Sequence, residues 1–141
     1  MLKTKIKCHK LGMQYTQPHF FILNKGFHSG KPAPEYWSNC FVFLADCEEE
    51  REFFYFLILG LWELQLFLPH LTGSVVQFIR INDFIDIVEE CVNHVNTGER
   101  KFEDIQNSLK QIEQCKVTLQ KQVATLMQLR KSIFHSYLKK K

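Results

Sequence analysis

The sequence predicts an α+β fold: a small mixed or antiparallel sheet packed on an apolar helix, followed by a long C-terminal helix of coiled-coil character. Three observations predict it. Residues 19–24 (HFFILN) and 40–45 (CFVFLA) are short, β-rich and apolar, as core strands are. Residues 53–62 carry no charge over ten positions, too long for a typical strand and read as a buried helix. From 102 to 137, apolar residues recur at alternating spacings of three and four: Phe102, Ile105, Leu109, Ile112, Leu119, Val123, Leu126, Ile133 and Tyr137. That period of about 3.5 makes a narrow stripe which must face another helix. Only Lys116 and Arg130 interrupt it with charge. The expected division is a head, residues 1–97, and a helical stalk, residues 98–141.

In chain order, residues 2–9 alternate lysines with Ile6 and Cys8, the pattern of an edge strand protected from further pairing. The β-rich run 19–24 follows, and then residues 25–38, where Gly26, Gly30, Pro32 and Pro34 predict a long loop. After the strand 40–45, Asp46 is expected to cap a helix whose first turn holds Glu48, Glu49 and Glu50, where the dipole favours negative charge. This helix should span residues 47–67 and stop at Pro69, with apolar residues on more than one face. Gly73 and Ser74 then make a turn before a strand over 75–81 (VVQFIRI), whose inward face its alternation leaves open. Asn82 or Asp83 caps a helix through Val95, with Phe84, Ile87, Val88, Cys91 and Val95 as its core stripe, ended at 96–98. The stalk starts near Glu99 and closes on the run Lys139, Lys140 and Lys141, a solvated helix end.

Composition bounds the function. With 45% apolar and 23% charged residues over 141 positions, the chain is of ordinary globular type, and its 13 phenylalanines predict a dense aromatic core before they predict a ligand cage. The net charge of +3 is unevenly spread: 1–47 and 91–141 are basic, while 48–90 are acidic. The basic segments suit phosphates or an acidic partner, unless the lysines only solubilise a stalk and a strand edge. Five cysteines without a CxxC pair, and a basic start without an apolar core, predict free thiols in a reducing cytoplasm. The uncharged run falls short of the roughly 18–20 residues of a membrane span, so no membrane partner is expected.

No catalytic constellation is present, and the chain reads as non-enzymatic. The stretch from Gly26 to Pro32 is a poor phosphate loop: three residues separate its glycines, and Pro32 stands where a magnesium-binding hydroxyl belongs. Lys25, His28, Ser29 and Lys31 nonetheless sit where a loop meets a phosphate backbone, unless it is a plain connection. The six histidines show no ligand spacing, so no metal or cofactor is expected. Cys47, near a helix start, is a candidate reactive thiol or simply a small residue at that position. In the stalk, Lys116 and Arg130 would burden a dry parallel dimer unless they snorkel or find acids. They equally suit antiparallel packing or a helix folded back on its own head.

Two resemblances emerge. PHFFILNKG (18–26), SGKP (29–32), NCFVFLAD (39–46) and GSVVQFIRIND (73–83) are similar to a family of small uncharacterised proteins from Bacteroidota genomes and their mobile elements. More distantly, the order of strand, apolar helix, Gly73-Ser74, strand, short helix and long helix resembles the end of a target-recognition domain in type I restriction specificity subunits. The chain is shorter than such a domain and lacks the proline-rich join before the spacer helix. That resemblance implies a DNA-associated module that self-associates through its last helix, a homodimer on double-stranded DNA. Its contacts would be Lys25, His28, Ser29, Lys31 and Arg80. The alternative is an adaptor, or a mimic of a restriction component, that docks onto another coiled-coil protein without binding DNA.

Overall fold

The computed structural model describes residues 2–97 and 102–139. Gly98, the expected start near Glu99, and Lys140 and Lys141 of the basic end lie outside the described residues. The chain divides into two compact units, residues 1–102 and 103–141.

The first unit is α+β. A single helical turn, α1 (Leu2–Lys5), leads into β1 (Ile6–Cys8), followed by β2 (His19–Leu23), β3 (Pro32–Ala33) and β4 (Cys40–Leu44). These four strands form one sheet in the order β1-β4-β2-β3, antiparallel throughout. The central pairing sets Phe20 against Phe43 and Ile22 against Phe41, so strict alternation sends these four rings and branches to one face. There they join Ile6, Leu57, Ile58, Leu61, Phe67, Phe84 and Val88 in the main core. Phe20 stacks on Phe43 with centroids 5.0 Å apart.

Helix α2 (Glu48–Glu63) lays Leu57, Ile58 and Leu61 into that core and also buries Phe56, and α3 (Ile81–Thr97) adds Phe84, Ile85 and Val88. Of the expected stripe on α3, Phe84 and Val88 are buried while Ile87, Cys91 and Val95 are half-buried against the cluster. Ile85 was not in the expected stripe and is buried as deeply as its neighbours.

Several local expectations are corrected. Residues 2–5 are helical, not extended: Leu2 is buried in the core, and the Lys5 ammonium reaches Asp46 at 2.7 Å and Glu50 at 2.5 Å. Asp46 therefore does not cap α2. Cys47 holds the cap position, and Glu50 instead accepts the Asp46 backbone N–H at 2.7 Å. The helix stops four residues early, well before Pro69. Leu66 N–H bonds Leu61 O and Gln65 N–H bonds Trp62 O, a Schellman closure with Gln65 at φ 59°.

The strand expected over 75–81 does not form. Thr72 and Phe78 exchange both backbone hydrogen bonds, at 2.8 and 2.9 Å, which closes the segment into a tight loop around Gly73 at φ 106°. Val75 is left 93% exposed at its tip. Of the alternating set only Ile79 enters the core, and α3 begins two residues earlier than an Asn82 or Asp83 cap allows. The fourth strand comes instead from inside the long loop, as β3.

The second unit is the helix α4 (Phe102–Lys139). Phe102 itself belongs to the first unit, its ring 4.6 Å from that of Phe53. Glu103 and Asp104 occupy the first turn and Lys139 the last, in the sense the dipole favours. Ser108, Thr118, Thr125 and Ser136 each donate a hydroxyl to the carbonyl four residues back, so the polar positions are satisfied within the helix.

Candidate helix-partner and nucleic-acid interfaces

The length of α4 follows from its sequence: 38 residues rise about 57 Å at 1.5 Å each. An isolated helix gains little from propensity alone, and most helical stability in proteins comes from packing an apolar face. No residue of α4 is buried. Ile112 is 64% exposed, Leu119 60%, Val123 56%, Leu126 64% and Ile133 64%. Assigned as a heptad, Leu109, Lys116, Val123, Arg130 and Tyr137 share the a positions, and Ile105, Ile112, Leu119, Leu126 and Ile133 share the d positions. Every d residue is thus a branched aliphatic, and both cations lie on a. Met127, Leu129 and Phe134, also exposed, widen the stripe toward the C-terminus. Monomeric soluble proteins rarely leave so long an apolar surface open to water.

The cations of the seam differ in their surroundings. Lys116 lies 3.8 Å from Glu113 on the same helix. Arg130 has no acid within a turn on either side, its neighbours from 126 to 134 being Leu, Met, Gln, Leu, Lys, Ser, Ile and Phe.

The loop after β2 forms the second candidate surface. Gly26 at φ 90° and Gly30 at φ 96° let the chain turn twice within five residues. Ser29 donates its hydroxyl to Gly26 O at 2.6 Å, Gly30 N–H bonds Leu23 O at 2.7 Å, and Leu23 N–H bonds Lys31 O at 2.9 Å. Ser29 is therefore buried, at 2% exposure, and its hydroxyl is used inside the turn. The Lys31 ammonium lies 5.1 Å above the Trp62 ring, a cation–π contact, and the exposed His28 ring sits 5.9 Å from the same indole. Phe27, His28, Ser29, Trp62 and Phe67 line a cavity of about 410 Å³ beneath the loop. Lys25 is exposed and pairs by backbone with Phe78, while Asn24 O accepts Ile79 N–H at 3.1 Å. That pairing brings the exposed Arg80 segment alongside Lys25.

Of the five residues read as nucleic-acid contacts, Lys25 and Arg80 are thus exposed on paired segments, while His28 and Lys31 are gathered around Trp62 and Ser29 is internal. Trp62 escaped the sequence reading because it lies in an apolar helical run, where an indole reads as core.

The other face of the sheet carries a cluster that sequence spacing also missed. His9, Tyr15, His19, Phe21 and Tyr36 pack ring against ring with centroids 5.0–6.3 Å apart. His9 Nδ1 lies 3.0 Å from the Tyr15 hydroxyl, and burial, with a smaller effect from Cys40, pushes the Tyr15 phenol up. All five cysteines are free thiols. Among the described residues no three His, Cys, Asp or Glu side chains converge as metal ligands, and no helix is long and apolar enough to cross a membrane.

A family model for a family of unknown function (DUF6943) matches residues 6–136. No curated protein and no solved structure matches the chain.

Proposed function

Because the chain belongs to the DUF6943 family, a family of unknown function, and inherits no activity from it, we propose from its geometry that it is a non-enzymatic module that self-associates through α4. One observation carries this reading: a 38-residue helix presents an a/d stripe that is apolar except at Lys116 and Arg130, and none of its residues is buried. Pairing removes those side chains from water at roughly 25 cal/mol per Å².

The solution mass of the full chain tests it, alongside Leu119→Asp and Leu126→Asp. The unaltered chain is expected to run as an oligomer and both variants as monomers with the head intact by circular dichroism. A monomeric unaltered chain would overturn self-association and favour an adaptor that docks onto another protein's coiled coil.

A second reading, in which the assembled heads touch double-stranded DNA, is favoured by the pairing of the Lys25 and Arg80 segments. Two heads carried on paired helices resemble a reduced type I restriction specificity subunit, with Lys25, Arg80, His28 and Lys31 as the contacting side chains. Phosphate contacts are salt-dependent, so binding to a mixed 30-base-pair duplex at low salt should weaken steeply at moderate salt. Binding that ignores salt, or none at all, would remove it.

A further inference from the structure

Resting on the proposed self-association, we infer that two copies of α4 pair antiparallel, in the one register that sets Arg130 beside Glu113 of the second copy. In a parallel, in-register pair, a faces a, so Lys116 meets Lys116 and Arg130 meets Arg130. The residues flanking the Arg130 layer would be Met127, Leu129 and Phe134, none of which offsets two guanidiniums. Like charges held together in an apolar seam without an acid are strongly unfavourable.

Antiparallel pairing removes both conflicts. There a faces d, and every d residue of this helix is Ile or Leu. With the helices overlapped in full, Leu109 meets Ile133, Lys116 meets Leu126, Val123 meets Leu119 and Arg130 meets Ile112. Each cation then lies against an aliphatic side chain, along which its stem packs while its head reaches the rim.

Charge decides the register. Beside Ile112 at the rim stands Glu113, which already lies 3.8 Å from Lys116 of its own helix. In this register Glu113 also meets Arg130 of the second copy, and symmetry makes the contact twice. Sliding either helix by a heptad sets Gln106 or Gln120 beside Arg130 instead and shortens the overlap. At the two-fold axis, near residue 121, Gln120 meets Gln120 and Gln122 meets Gln122, amides that hydrogen-bond to their own kind.

Spin labels attached through a non-canonical ketone-bearing residue at 107 or 121 test this and leave the five cysteines in place. Both positions face away from the seam. Antiparallel pairing separates the two copies of residue 107 by about 42 Å along the axis and those of residue 121 by none, at 1.5 Å per residue. The expected result in the full-length dimer is therefore one long and one short distance. Two equal short distances would overturn the orientation and leave self-association standing; the absence of any intermolecular distance would overturn both. As a second readout, Arg130→Glu or Glu113→Arg alone should lose the dimer at concentrations where the unaltered chain keeps it. The double variant should regain it, and failure to do so would reject the register.

Discussion

Gly30 lies against the ring of Phe67 so closely that a Cβ on Gly30 would stand 2.3 Å from Phe67 Cδ2. The glycine also sits at φ 96°, where a side chain is strained even in open space. Phe67 cannot step aside, because it is 1% exposed and stacked on Phe84 at 5.0 Å. Gly30→Ala is therefore expected to destabilise the head by about 2–4 kcal/mol, measured by urea unfolding. Gly26→Ala, with open space around its Cβ, should cost less.

The C-terminus of α2 predicts a change of the opposite sign. Gln65 adopts φ 59° to close the helix, a conformation that glycine takes without steric cost. Gln65→Gly should raise stability by about 0.5–1 kcal/mol, visible as a higher urea midpoint at unchanged slope.

Stability should fall in alkaline solution. At Lys5 burial lowers the amine's pKa, but the hydrogen bonds and charges of Asp46 and Glu50 outweigh it, so the net direction is up from 10.5. Burial raises Tyr15 from 10.0, and raises Cys40 and Cys91 from 9.0. A group whose pKa is raised by folding stabilises fully below its unfolded value and loses that contribution as pH climbs through the folded value. All four act in the same sense. Unfolding free energy should hold steady up to about pH 9 and then decline, first from the thiols and then from Tyr15 and Lys5. A flat profile from pH 8 to 11 would contradict these surroundings.

For DNA, Lys25→Glu and Arg80→Glu should each weaken duplex binding and together reduce the slope of log K against log salt by about 2. Lys31→Glu should do less, since its ammonium is already held over Trp62.

The strands at 19–23 and 40–44 were legible because both faces of each are apolar and turn residues bound them. So was the periodic α4, whose heptad needs no tertiary information. The segment 75–81 misled for a physical reason. Val75, Val76, Phe78 and Ile79 have strand propensity, but the Thr72–Phe78 pairing closes the loop on itself and leaves only Ile79 for the core. Propensity measures fit to a pleated, half-buried surface, and none was offered there. Lys5 was unreadable as a partner of Asp46 and Glu50, since more than forty positions separate them. A separation of more than thirty positions likewise hid the approach of His28 and Lys31 to Trp62.

The two outer strands of the sheet have a consequence for the size any assembly reaches. β1 is three residues long with Lys7 at its centre, and β3 is two residues long with Pro32, which has no N–H to offer. Neither border templates another chain, so the heads do not extend into ribbons. A symmetric helix pair, in turn, consumes the same surface on both members and leaves none over. If α4 pairs as proposed, growth stops at that pair: the complexes should keep one finite mass as concentration rises, with no tendency toward fibres.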